Sequence, residues 1–172
     1  MGKKIDIIIH AASQASPKYY GVEHQWANWK NKMKKIEKVK LIKLQIFGDA
    51  RGSLVSLEQY KNIPFNIKRV YYIFDTKRDT PRGFHAHKTL EQVLICVNGA
   101  CKIKVDDGKN VDIFNLFSPE QGLYIGNNIW REMFDFSQGC VLLVLASRYY
   151  DPKEYIKDYS EFLKSVRCNR KG

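Results

Sequence analysis

From Ile36 onward the chain is cut at short intervals by glycine, proline, asparagine and aspartate. Between the cuts lie short apolar or alternating runs: Val39 to Phe47, Ser53 to Leu57, Ile67 to Phe74, Ala100 to Val105, Val111 to Leu116, Leu123 to Gly126, Trp130 to Phe136 and Cys140 to Ala146. Runs this short are strands, not helices, and their number predicts an all-β fold, a double-sheet jelly roll. In Val39–Phe47, Lys40 and Lys43 are set among Val39, Leu41, Leu44 and Ile46; in Ile67–Phe74, Val70, Tyr72 and Phe74 lie opposite Arg69, Tyr71 and Ile73. Asn98-Gly99 is a tight-hairpin pair, and the unbroken apolar run Cys140–Ala146 suits a strand buried on both faces. Asp151-Pro152-Lys153-Glu154 reads as the cap of a short C-terminal helix reaching about Val166, with Tyr155, Tyr159 and Phe162 on one side.

Residues 1–35 have a different character. Lys3–Ile9 has a strand's composition, and Glu23–Lys38 places Trp26, Trp29 and Met33 at helical spacing. Ile8 to Gly21 resembles a strand and following loop of nucleotide-sugar short-chain dehydrogenases. The glycine-rich dinucleotide loop of such enzymes is absent, so no function is carried over. The expected organisation is an N-terminal extension over 1–35, a jelly-roll catalytic domain over 36–166 and a basic tail over 167–172.

The net charge of +11 is uneven: residues 1–43 hold ten lysines against three acidic residues. That basic stretch matches no recognition helix, zinc finger or RNA-binding strand motif, so it reads as a solvated segment and no nucleic-acid partner is expected. No run approaches membrane-spanning length, and Ile5–Ala12 is too short and wrongly followed for a signal peptide. The four cysteines, Cys96, Cys101, Cys140 and Cys168, show no CxxC or zinc-like spacing; reduced structural thiols of a cytoplasmic protein are expected.

The chemistry is concentrated in Pro81–Gln92. His85 and His87 are two of only four histidines, and positions i and i+2 of a strand share a face. Thr89 and Glu91 continue that face if the strand stays regular, while Phe84, Ala86 and Leu90 have core character. Paired imidazoles preceded by Arg-Gly and followed by Lys suggest a site for protons, or for a metal, beside an anion.

His85, His87, Glu91 and Gly99 have the spacing of the first motif of the cupins, a jelly-roll superfamily many of whose members bind metal through such residues. The fourth ligand of those members is a later histidine, and no histidine follows His87 here. Two histidines and a carboxylate could still form a facial triad; an acid–base site without metal is the better fit.

The resemblance narrows at Arg51-Gly52-Ser53-Leu54, Ile67 to Phe74, Arg82-Gly83-Phe84-His85-Ala86-His87-Lys88, Trp130 to Met133 with Asp135 to Ser137, and Val144 to Ser147 with Tyr149-Tyr150-Asp151. These motifs, in this order, resemble the dTDP-4-keto-6-deoxyglucose 3,4-ketoisomerases, from about Lys43 to Phe162. That resemblance implies a metal-independent, cofactor-free cupin that forms homodimers with exchanged N-terminal strands. It also implies a dTDP-linked 4-keto-6-deoxyhexose as substrate and a role in supplying aminodideoxyhexoses for bacterial surface glycans. His85 is implied as the base for the C3 proton, His87 as its neighbour and proton shuttle, and Tyr71 as an active-site hydroxyl. Moving a ketone from C4 to C3 through an enediolate needs such a base with a pKa near neutrality, and needs donors for the oxyanion. Arg51 and Arg131 are the candidates for that charge, Arg82 and Lys88 for the diphosphate; Glu91 and Gln92 are candidates to orient the imidazoles. Relatives making the galacto product carry arginine and histidine at the positions of Arg51 and Arg131, and gluco relatives carry tyrosine and arginine. With arginine at both, a mixed product with galacto ahead is expected. A deoxysugar 3,5-epimerase or a non-catalytic sugar-binding cupin are the alternatives.

Overall fold

The computed structural model describes residues 36–168. The strand expected at Lys3–Ile9, the expected Glu23–Lys38 helix up to residue 35, and residues 169–172 of the expected tail lie outside the described residues; residues 36–38 form a turn instead of helix, and Arg167 and Cys168 belong to the C-terminal helix.

Twelve strands, all paired antiparallel, build two five-stranded sheets and one separate hairpin. The first sheet has the order β1 (Val39–Lys43), β9 (Gln121–Ile125), β6 (Gln92–Asn98), β11 (Val141–Ala146) and β4 (Arg69–Ile73). The second runs β12 (Tyr155–Ile156), β5 (Arg82–His87), β10 (Trp130–Phe134), β7 (Cys101–Asp106) and β8 (Val111–Leu116). Among the described residues, strands β2 (Ile46–Asp49) and β3 (Gly52–Val55) pair only with each other. This is the expected jelly roll, of the cupin type. Its main core lies between the sheets, where Leu94, Ile103, Val105, Leu123, Leu142 and Val144 are fully shielded from water.

The alternation in Ile67–Phe74 holds, with the apolar set outward: Val70 and Tyr72 on edge strand β4, and Phe74 just past its end, are exposed, and Tyr71 and Ile73 pack against the core. Two local expectations give way. Asn98-Gly99 does not close a hairpin, because β6 and β7 belong to different sheets. Only Gly99 has positive φ (+74°), whereas the tight hairpin turn needs it at both central residues. The turn instead carries the chain from sheet to sheet, and its polar groups are taken up by the facing loop: Asn98 Nδ2 donates to the Gly139 carbonyl, and the Ala100 N–H to Ser137 Oγ.

The C-terminal helix also starts later than Asp151. Asp151 does cap a turn, accepting from the Lys153 N–H, but that turn is a single 3-10 segment, Pro152–Glu154. The chain then extends as β12 along β5 before helix α1 (Tyr159–Cys168) begins, with the Asp158 carboxylate accepting the Glu161 N–H at its start. Phe162 and Val166 seal α1 onto Trp130, Ala86 and Ile156 on the outer face of the second sheet. Losing a ring buried as fully as Phe162 costs about 3–5 kcal/mol.

Candidate active site

Strand β5 does not run regularly up to its histidines. Gly83 (φ +95°) and Phe84 (φ +51°) both adopt left-handed backbone, and the pairing with β10 slips between Arg131 and Glu132. Such a bulge re-aims the side chains that follow it. Glycine is required there, since a Cβ on Gly83 would lie 2.8 Å from the Arg131 carbonyl oxygen. The bulge turns Phe84 outward, 47% exposed, where the sequence suggested a core residue. It also brings the Gly83 carbonyl to 3.0 Å from Nδ1 of His85.

That contact fixes the tautomers. A carbonyl only accepts, so Nδ1 of His85 carries the proton and Nε2 holds a lone pair. Nε2 of His87 lies 3.2 Å away and must be the donor. Nδ1 of His87 is then a bare acceptor, buried and without a hydrogen-bond partner. Both rings are neutral near pH 7. His85 is lowered to about 4 by desolvation, then by Arg131 and Lys157, against the opposing pull of the Gly83 hydrogen bond. His87 is lowered to about 2 by desolvation, Arg131, His85 and Arg69.

Arg131, opposite His85 on β10, is 1% exposed, and the hydrogen bonds its guanidinium makes all go to neutral groups. Nε and Nη2 donate to the Ile129 carbonyl, and Nη1 donates to Oε1 of Gln92. Burial lowers its pKa to about 10, which leaves it charged near neutrality. Because Oε1 of Gln92 accepts from Arg131, its Nε2 is the group that donates, at 2.8 Å, to the Tyr71 hydroxyl. Tyr71 therefore accepts from Gln92 and keeps its own O–H free to donate. Burial raises the Tyr71 pKa, so the phenol stays protonated. Gln92 thus orients Tyr71 rather than the imidazoles.

Tyr155 was assigned to a helix from the sequence and is found in β12, in register with His87. Its ring lies 4.4 Å from that of His87 and 5.0 Å from that of His85, centroid to centroid. The guanidinium of Arg69 sits 5.1 Å over the Tyr71 ring, with Nε buried and unpartnered. Arg69 falls inside the Ile67–Phe74 motif, where nothing sets it apart from its neighbours, and no motif includes Tyr155. Only the pairing of β12 with β5 and the inward phase of β4 bring them in.

The fold therefore gathers His85, His87, Tyr71 and Arg131 into one constellation. A cleft of about 440 Å³ opens between β4 and β5, lined by Tyr71, Phe74, Arg82, His85 and Met133. Lys88 lies on the surface past the end of β5, its backbone N–H tied to the Glu154 carbonyl. Arg51 is at the tip of the β2–β3 hairpin, its side chain 90% exposed and paired with Asp49. The face does not continue beyond His87. Thr89 is tied through its N–H and hydroxyl to Glu154, and Glu91 accepts from the Tyr124 hydroxyl. Among the described residues the one set of three potential ligands clustered within 4.8 Å is made of cysteines, so His85, His87 and Glu91 do not converge as a facial triad.

A jelly roll whose cleft is lined by a neutral imidazole and a protonated phenol, each backed by a buried partner in His87 and Arg131, has the build of a cupin-type isomerase. Residues 37–167 match the family model described as FdtA, WxcM-like, C-terminal, and the chain belongs to that family. It is 59% identical over 118 residues to the TDP-4-oxo-6-deoxy-alpha-D-glucose-3,4-oxoisomerase of Aneurinibacillus thermoaerophilus, covering 69% of this chain and 85% of that protein. Among solved structures it resembles a histidine mutant of the 3,4-ketoisomerase QdtA from Thermoanaerobacterium thermosaccharolyticum bound to TDP-4-keto-6-deoxyglucose. That match has a TM-score of 0.76 and 47% identity, over 78% of this chain and 97% of the other. It also resembles the TDP-quinovose 3,4-ketoisomerase WlaRB of Campylobacter jejuni, with a TM-score of 0.73 and 56% identity over 75% and 99% of the two chains.

Proposed function

We propose that this chain isomerises TDP-4-keto-6-deoxyglucose to the 3-keto sugar by proton transfer through an enediolate. The observation that carries the reading is that His85, in contact with the buried His87, and Tyr71, held by the buried Arg131–Gln92 pair, line one cleft. A neutral imidazole can take a carbon-bound proton only if a lone pair faces the substrate, and Nε2 of His85 has one. Substrate displaces the His87 N–H from that lone pair, and His85 takes the C3 proton. The Gly83 carbonyl then holds the imidazolium from the far side. The Tyr71 O–H donates to the oxygen at C4 as negative charge develops there, with Arg131 behind it through Gln92. The proton on the C3 oxygen passes to the C4 oxygen, so that the enediolate charge moves to the C3 side. His87 then gives its N–H proton to C4, leaving the C3 ketone, and takes a proton in turn from His85 across their contact, which restores both rings. No hydride moves, so no nicotinamide enters the scheme. Arg82 at the cleft wall meets the diphosphate, and Lys88 adds positive charge beyond it.

Arg51 reaches a site by a different route. The β2–β3 hairpin exposes Ile46, Phe47 and Leu54, and a homodimer in which two copies exchange this arm would cover them and deliver Arg51 to the partner's cleft. Arginine at both 51 and 131 supports the mixed outcome at C4, with galacto ahead. Free, reduced cysteines and a nucleotide-linked substrate support action in the cytoplasm. No helix among the described residues is long and apolar enough to cross a membrane. The product would feed aminodideoxyhexose synthesis for surface glycans.

The test is incubation of purified protein with TDP-4-keto-6-deoxyglucose in EDTA, followed by proton NMR. The expected result is 3-keto product without added metal, and loss of turnover with TDP binding kept in His85→Asn. No product, or product only after a divalent metal is restored, would overturn the proposal, and a single clean gluco product would overturn the stereochemical part.

A further inference from the structure

The end of the barrel away from the histidines holds three of the four cysteines. Cys96 closes toward the end of β6, Cys101 opens β7, and Cys140 immediately precedes β11. They come from three separate segments and both sheets, yet all three are buried and all three sulfurs lie within 4.8 Å of one another. Sγ of Cys96 is 3.6 Å from Sγ of Cys140 and 3.2 Å from the Asn98 carbonyl oxygen. We propose that Cys96, Cys101 and Cys140 form a second, non-catalytic site that binds one soft, thiophilic d10 cation.

The spacing suits such an ion before any rearrangement. A metal bonded to thiolates at about 2.3 Å in a tetrahedral or trigonal arrangement places the sulfurs about 3.8–4.0 Å apart. The Cys96–Cys140 pair lies close to that spacing at 3.6 Å, and no two of the three sulfurs are more than 4.8 Å apart. Three thiolates with no imidazole or carboxylate beside them select copper(I) or zinc over hard ions. Without metal the thiols perturb one another. Hydrogen bonding from Cys101 lowers Cys96 to about 7, while Cys101 is raised by that bond and by burial, and Cys140 is raised to about 12, mainly by burial. Each thiol that ligates gives its proton to solvent, and the cation's charge replaces it.

The site is separate from the catalytic one. Gln92 and Cys96 lie four residues apart on β6, as do Val105, the partner of Arg131, and Cys101 on β7. At the rise of an extended strand that is about 13 Å. An ion there would tie β6 and β7, which lie in different sheets, to the loop entering β11, and so would stabilise the barrel without touching the proton-transfer chemistry.

The test uses the full-length protein, reduced and anaerobic, in a Cys168→Ser background. It is titrated with zinc against a chromophoric chelator and, separately, with copper(I) against bathocuproine disulfonate. One equivalent of one of the two ions is expected, with a higher Tm and unchanged turnover. Cys96→Ala, Cys101→Ala and Cys140→Ala should each weaken binding by about a hundredfold, one ligand's share of a thiolate site. His85→Asn should leave it intact. Since cutting back a buried cysteine can unfold the chain, the cluster is also read in unmodified protein: loading should shield three thiols from alkylation under native conditions and release protons. No stoichiometric uptake of either ion, or uptake that survives removal of all three cysteines, or that is lost in His85→Asn, would overturn the assignment.

Discussion

Replacing Arg131 by glutamine removes the buried charge while keeping an N–H for the Ile129 carbonyl or for Gln92. The acid limb of the pH profile should then move. In the unmodified protein His85 sits at about 4, against 6.5 for a free imidazole. Desolvation is the largest cause and Arg131 the next. Glutamine is as buried as arginine, so the desolvation stays and only the Coulomb part is lifted. A nearby like charge shifts a pKa by about one to a few units, and the smaller of the two causes here corresponds to about one. In the proposed mechanism the neutral form of His85 is the active one, so activity should be present above its pKa and lost below. The acid limb of kcat/KM, which reports the free enzyme, should therefore rise from about pH 4 to about pH 5 in Arg131→Gln. The rate on the plateau should fall about a hundredfold, because the support behind Tyr71 is gone. The assay is kcat/KM from quenched short incubations analysed by NMR. A limb that stays in place or moves lower in the variant would refute the electrostatic reasoning; a limb near 6.5 in the unmodified protein would refute the desolvation.

Arm exchange predicts complementation. Arg51→Ala and His85→Asn, each inactive alone, should on co-expression give about a quarter of full activity, since half of the dimers are mixed and one of their two sites is intact; activity no higher than that of the single variants would place Arg51 outside the partner's site. Acid should destabilise the fold through the buried histidines. Their folded pKa values lie below the unfolded 6.5, so the associated stability is intact above that pH and is lost as pH falls toward 4. Between about pH 7 and pH 5 each ring accounts for about 2 kcal/mol. Urea melts should show that loss roughly halved in His87→Asn, and an equal loss in both proteins would contradict it.

The sequence shows which residues share a strand far better than it shows where a strand stops. His85 and His87 face the same way because period two holds across Ala86, and Tyr71 points inward because the alternation in β4 is unbroken. Thr89 and Glu91 leave that face because β5 ends at His87, where the backbone turns to bond Glu154. Nothing local announces that end, since its partner lies far along the chain. Phe84 misleads for the opposite reason: its hydrophobicity is ordinary, but the bulge begun at Gly83 rotates it to the surface. Asp151-Pro152 carries real capping chemistry, and a 3-10 turn uses the same chemistry as a helix. Tyr155 is missed with it, since its role depends on β12 pairing with β5. The cysteines evade spacing rules altogether, because they meet across two sheets.

The arrangement around Arg131 breaks an ordinary rule of cores in a way that its chemistry explains. A buried guanidinium normally demands a carboxylate, and the desolvation of an unpaired one costs several kcal/mol. Here its hydrogen-bond partners are a backbone carbonyl and an amide. A carboxylate in that place would neutralise the charge before substrate arrived, and would raise the pKa of both imidazoles by attracting their protons. Left uncompensated, the same charge adds to the desolvation that keeps His85 and His87 neutral, and it holds Gln92 so that the Tyr71 proton is the one left to give. In the proposed mechanism the complementary negative charge is the enediolate, present only while the reaction is under way. An interaction that strengthens at that moment lowers the barrier rather than merely tightening binding. Introducing a counter-charge, as in Gln92→Glu, should accordingly cost kcat while leaving the fold intact: it satisfies Arg131 better in the resting protein and takes from the reaction the charge it would have met.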